Sequence, residues 1–170
     1  MKMIFKIKKH NDNLYNTLLK LSRNIFFYKG IDLPDSFESR IYLMFIHFSI
    51  MMKVFKKKED KFKQQDYDSL FHNIENNLRE LGFGDVTVNK KMKELNKILY
   101  DILLKIEDEN SNKFKLNKRL IFRYFNSLSI NNNENFNKFE EYFLKFYDFC
   151  FELPLESVIR EARNFNYGST

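Results

Sequence analysis

The sequence predicts an all-α fold: a single-domain bundle of six or seven helices around one central apolar helix. Three observations lead there. Apolar residues recur at spacings of three and four through most of the chain, and no segment alternates with period two for long enough to make a strand. Gly and Pro are scarce, four and two in 170 residues, whereas a sheet protein draws on both for its many tight turns. Hydrophobic residues make up 44% of the chain and aromatic ones 17%, with 20 Phe, a composition that folds rather than stays disordered. At this length, residues 1–170 fit one domain able to bury a core.

The first predicted helix runs from about Asn13 to Tyr28, with Leu14, Leu18, Leu21 and Ile25 on its inner face, Asp12 as cap and Gly30 as stop. After Asp32-Leu33-Pro34-Asp35-Ser36, a second helix opens at Asp35 or Ser36 and runs to about Lys57. It carries the most hydrophobic stretch, Ile41–Met52, which Arg40 and Lys53 bracket. Twelve such residues are too few for a membrane span, which needs about 20. A helix apolar on nearly all sides belongs instead at the centre of a bundle. Its methionines, Met44, Met51 and Met52, either fill an irregular core or line an adaptable groove. A third helix covers about Asp66–Leu81, a fourth about Val88–Glu107 and a fifth about Leu116–Leu128. A sixth runs over about Glu134–Phe151, and a short last helix follows Pro154 to about Asn164.

Charge is uneven. Residues 1–65 hold 14 Lys/Arg against 6 Asp/Glu, a net of +8, while residues 66–170 hold 15 against 17, a net of −2. Lys53, Lys56, Lys57, Lys58, Lys61 and Lys63 follow the apolar helix and are expected to join the N-terminal lysines in one positive patch. Such a patch suits ribosomal RNA or anionic lipid headgroups, or it is a solvated face that keeps an aromatic-rich protein in solution. The single cysteine, Cys150, excludes an internal disulfide framework and fits a reducing compartment. The first ten residues lack the features of a secretory signal or an organelle transit peptide. The expected setting is therefore bacterial cytoplasm, with a processed mitochondrial protein as the alternative.

Catalytic chemistry is absent from the pattern. His10, His47 and His72 are far apart and have no Cys or carboxylate partners at ligand spacing, so no metal site is expected. Gly82-Phe83-Gly84 follows no strand and lacks a third glycine, so it is no dinucleotide fingerprint. There is no phosphate-binding loop and no nucleophile elbow, and Cys150 sits on an aromatic helical face where packing is the expected role. Lys118–Phe125 mixes basic and aromatic residues in a way that can suit RNA stacking, but helical spacing makes it core with a basic rim. No enzyme, no cofactor and no DNA partner is expected.

The most informative segment is Leu78-Arg-Glu-Leu-Gly-Phe-Gly-Asp-Val-Thr-Val-Asn-Lys-Lys-Met-Lys93. It reads as a helix end, a glycine-permitted reversal and a new helix start. Gly82 is expected at positive φ, Gly84 at a second tight excursion, and Asp85 or Thr87 as the cap of the next helix. Arg79 and Glu80 lie one turn before the break, within reach to clasp the loop. The segment resembles the LREMGVGD-x-x-V-x-K/R-K/R-M signature of the ubiquinol–cytochrome c chaperone family. Upstream, Leu33-Pro-Asp-Ser-Phe-Glu-Ser-Arg40 is similar to that family's LPDTFDGRF segment, in the expected order and spacing. Leu81 and Phe83 stand where the family usually has Met and Val, and Ser39 and Asn89 where glycine is common.

The resemblance implies a helical, non-enzymatic factor for assembly of the cytochrome bc1 complex. It would act on cytochrome b or another subunit of that complex, with a small helical partner protein, the ribosome and an anionic membrane surface as further contacts. It would work at the inner face of the bacterial inner membrane, or in mitochondria. Arg79, Glu80, Gly82, Gly84, Asp85, Pro34, Asp35 and Arg40 then become candidate partner-binding residues, or a structural clasp. A helical RNA- or ribosome-binding protein and a structural subunit of a stable complex are the rival readings.

Overall fold

The computed structural model describes residues 13–130 and 133–168. Among the described residues seven α-helices follow in order: α1 over residues 13–22, α2 (Phe37–Lys57), α3 (Gln64–Glu80), α4 (Asp85–Lys105), α5 (Lys118–Tyr124), α6 (Glu134–Glu152) and α7 (Val158–Glu161). Short 3₁₀ and π turns join some of them. No strand forms among the described residues; one isolated bridge pairs Glu107 with Leu116. The sixth predicted helix matches α6 within a residue, and Asp12 and the N-terminal lysines lie outside the described residues.

The central helix is α2. Ser36 caps it, its hydroxyl accepting from the Ser39 amide at 3.2 Å, which satisfies one orphan donor of the first turn. From Ile41 to Met51 every side chain is buried except half-buried Tyr42. Burial on all sides follows from the absence of a polar stripe. The helix packs against α6 on one side and α4 on another, while α3 packs on α4. Among the described residues no helix is long and apolar enough to cross a membrane. Met44 and Met51 are sealed in the core and Met52 is half-buried against it. Of the two expected roles, the methionines take that of core filler.

Two polar links tie distant helices. His47 of α2 is fully buried; its Nδ1 lies 2.7 Å from the Leu43 carbonyl and its Nε2 2.8 Å from the Tyr142 hydroxyl of α6. A carbonyl only accepts, so Nδ1 carries the proton and Nε2 accepts from Tyr142. Burial lowers the pKa of His47 to about 3, which keeps the ring neutral. Asp101 of α4 accepts from Arg123 at 2.8 Å and from Tyr124 at 2.6 Å, and pairs with Lys105 one turn on. Burial works to raise its carboxyl, but these three donors together hold it below its usual range. Arg123 and Tyr124 thereby fasten α5 to α4.

Helix ends depart from expectation at three places. The first helix stops at Ser22 rather than Tyr28, because Asn24 turns its side-chain oxygen onto the Phe26 amide at 3.0 Å, the local bonding by which Asn competes with a helix. A π turn over Phe26–Gly30 follows, which buries Phe27 and leaves Ile25, expected inward, 62% exposed. Helix α4 begins at Asp85, three residues early, and α5 ends at Tyr124 with a separate 3₁₀ turn over Asn126–Ser129.

Candidate functional site

Both motif segments fold as helix boundaries, and their hydrophobic members explain where. Leu78 and Val88 are fully buried, one at the end of α3 and the other in the first turn of α4. The chain between them must therefore reverse within a few residues while both flanks stay in the core. Gly82 makes this possible at φ +96°. Its amide donates to Arg79 and the Phe83 amide to Leu78, at 3.0 and 3.3 Å, the paired bonds of a Schellman ending. The expected positive φ at Gly82 is present.

The other backbone expectations for this turn do not hold. Gly84 has φ −75° and ψ 165°, extended backbone open to any residue. It is itself the N-cap of α4 and no side chain caps it, so neither Asp85 nor Thr87 plays that part. Asp85 instead occupies the first helical position, where its charge suits the helix N-terminus, and it pairs with Arg79 across the turn. Arg79 also holds Glu75 at 3.0 Å. The two carboxylates raise the pKa of the guanidinium, Asp85 more than Glu75. Glu80 is exposed and takes no part in this pairing among the described residues.

The reversal leaves a row of apolar side chains in solvent: Leu81, Phe83 and Val86, the last of them 84% exposed. Leu81 and Phe83 are two of the positions at which this chain departs from the family signature. Lys91, in the second turn of α4, sets its ammonium 4.8 Å from the centre of the Phe83 ring, a cation–π contact that holds the ring without covering it.

Lys91 also joins the two motifs in space. It lines a small recess of about 80 Å³ with Glu94, Leu95 and Ile98 of α4 and with Phe37, Glu38 and Tyr42 from the start of α2. Burial raises the Tyr42 hydroxyl pKa, and the Glu38 and Glu94 carboxylates raise it further, so it stays a neutral donor. The rest of the upstream motif closes on itself. Arg40 grips Asp35 through Nε and Nη2 at 3.0 and 2.6 Å, and Pro34 is exposed beside them. Tyr28 donates to the Ser22 carbonyl at 2.7 Å and lies close enough to Arg40 to feel its charge. No hydrogen bond or ion pair joins the Arg79 group to the Arg40 group among the described residues.

The lysine run divides. Lys53 pairs with Glu107 at 3.5 Å. Lys58 donates to the Leu153 carbonyl at 2.8 Å, just past the end of α6, with its ammonium 5.0 Å from the Phe151 ring. Lys53 thus ties α2 to the segment after α4 through a carboxylate, and Lys58 ties it to the end of α6 through a carbonyl of the kind left unpaired at a helix C-terminus. Lys56, Lys57, Lys61 and Lys63 remain exposed.

Several of these residues carry no sequence signal. Tyr42, Glu94 and Ile98 read as ordinary helical positions, and only the approach of α2 to α4 gathers them with Phe37 of the upstream motif. Lys91 was within reach, since it lies inside the signature. Cys150 is buried and its thiol is pushed well above the usual range by desolvation, so it packs as an apolar group.

No curated protein and no solved structure matches the chain. A family model described as ubiquinol–cytochrome C chaperone matches residues 29–120, a span that holds the Asp35–Arg40 pair, all of α2 and α3, the turn at Gly82 and the recess. That is more than half of the chain, with both motifs inside it, and the protein belongs to the ubiquinol–cytochrome c chaperone family.

Proposed function

We propose that this chain is an assembly chaperone for the cytochrome bc1 complex and that it holds newly made cytochrome b on the face built by the α3–α4 turn. One observation carries the reading: the family signature folds into a clasped turn whose Leu81, Phe83 and Val86 stand in solvent. Soluble proteins seldom gather such side chains without a partner. An apolar row rimmed by Arg79 and Lys91 suits a membrane subunit, whose helices are apolar and whose connecting segments carry charge. A small helical partner can share the same face. Exposed Lys56, Lys57, Lys61 and Lys63 give the protein an attraction to an anionic membrane surface or to the ribosome, which supports a site of action at the inner face of the membrane. The family description implies a role without catalysis.

The test is the triple variant Leu81→Ser, Phe83→Ser, Val86→Ser in cells lacking the native protein, with crosslinking to newly made cytochrome b. All three side chains are largely outside the core, so the fold is retained. Crosslinking and bc1 assembly should both fall, while the thermal midpoint of the purified variant stays close to that of the parent. Undiminished assembly with the triple variant present at normal level overturns the assignment of this face.

A further inference from the structure

A second site lies outside the matched residues. The end of α1 and the C-terminal turn face one another across a pocket of about 410 Å³, lined by Lys20, Leu21, Arg23 and Asn24 on one side and Arg163, Asn164, Phe165 and Asn166 on the other. The volume falls within the range of small-ligand sites, about 300–1,000 Å³. Three cations line it and no acid does. None of Lys20, Arg23 and Arg163 forms an ion pair among the described residues. The available donors agree with the charge. Asn24 spends its side-chain oxygen on the Phe26 amide, so its amide nitrogen remains to donate. Arg163 is fixed by donation from Nε to the Arg160 carbonyl at 2.8 Å, while its Nη2 is shut off from solvent and has no acceptor.

Donation from Nε holds the Arg163 guanidinium at the pocket, and three cations with no acid among them favour an oxyanion there. The C-terminal end of α1 is mildly negative, equivalent to about half a charge, and three full cations outweigh it. Phe165 cannot serve as a platform for stacking a base, because its ring is engaged with Tyr142, Phe146 and Phe149. Donors converging from two sides on a pocket larger than a bare ion suit a tetrahedral oxyanion carrying a small polar substituent. We propose that this pocket binds a phosphate group, borne either by a lipid headgroup or by a small soluble phosphate ester.

The experiment uses the full chain. Inorganic phosphate and glycerol 3-phosphate are titrated calorimetrically at constant ionic strength against a chloride reference, and flotation is measured on vesicles with and without phosphatidylglycerol. Two variants accompany the parent: Arg163→Gln, and the exposed pair Lys20→Gln with Arg23→Gln, which tests the site without disturbing buried atoms. Glycerol 3-phosphate should bind, and each variant should weaken it by about tenfold or more, as expected for a lost charge-assisted bond. If the source is lipid, flotation depends on the same residues and glycerol 3-phosphate competes with it. If the source is soluble, the ester binds and flotation is indifferent to the substitutions. Absence of phosphate binding in both arms, or binding that both variants leave unchanged, overturns the proposal.

Discussion

The buried His47–Tyr142 link makes stability depend on pH in a way that can be isolated. In the folded chain burial holds the His47 pKa near 3, against 6.5 for the free side chain. Between those values the unfolded chain takes up a proton and the folded one does not. The contribution is therefore fully present above about pH 6.5 and is lost as pH falls toward 3. The entire gap corresponds to about 5 kcal/mol, reached only near the lower value, and by pH 5 the loss is about 2 kcal/mol. The perturbation is the pair His47→Leu with Tyr142→Phe, which removes the titrating ring and the hydroxyl it bonds, so that neither is left orphaned. Urea unfolding at pH 7.5 and 5.0 gives the parent's loss of stability, and the same measurement on the variant subtracts the contribution of surface carboxylates. The parent should lose about 2 kcal/mol more than the variant over that interval. Equal losses in the two proteins would refute a neutral buried histidine at this position.

Other outcomes follow from the turn and the lysines. Gly82→Ala should cost about 1 kcal/mol from backbone strain alone, since no atom lies within 4 Å of the added carbon. Gly84→Ala, at extended φ with the same open space, escapes that strain and should cost less than Gly82→Ala, its remaining loss reflecting the poorer N-cap that Ala makes. Lys58→Met should lower stability by about 1 kcal/mol through the carbonyl it leaves unpaired, whereas Lys56→Gln with Lys57→Gln should stay within about 0.5 kcal/mol of the parent. The same pair should weaken binding to anionic vesicles by about 1 kcal/mol for each lysine engaged, a difference that vanishes in high salt. Binding that is indifferent to both the substitution and the salt would make those lysines a merely solvated face.

Much of the fold was legible because it depends on periodicity and composition. The Ile41–Met52 run had no polar stripe, and α2 is accordingly buried all round. The ending at Gly82 was legible because a glycine between two helical patterns has few other reasons to be there. Misreadings arose where a short-range side-chain bond outweighed the pattern. Asn24 stops the first helix although apolar spacing runs past it, and the bond to the Phe26 amide that does so is local and cheap. The start of α4 needed no side-chain cap, so expecting one at Asp85 or Thr87 displaced the boundary. The site was half legible. The motif residues could be listed, but their role in space was set by distant partners: Lys91 with Phe37 and Tyr42, Lys58 with Leu153, Lys53 with Glu107. Nothing in a local window distinguishes Lys58 from Lys57.

Thr17 of α1 donates to the carbonyl of Ile159 at 2.8 Å, a bond between residues 142 apart in sequence. During synthesis this bond, and the phosphate pocket beside it, cannot exist until the chain has grown past residue 159. The residues of the α3–α4 turn and those lining the recess against α2 are all made by residue 98. A nascent chain thus displays its apolar row long before α1 is seated against the C-terminal turn. The two faces mature at different times, and only a finished molecule offers both.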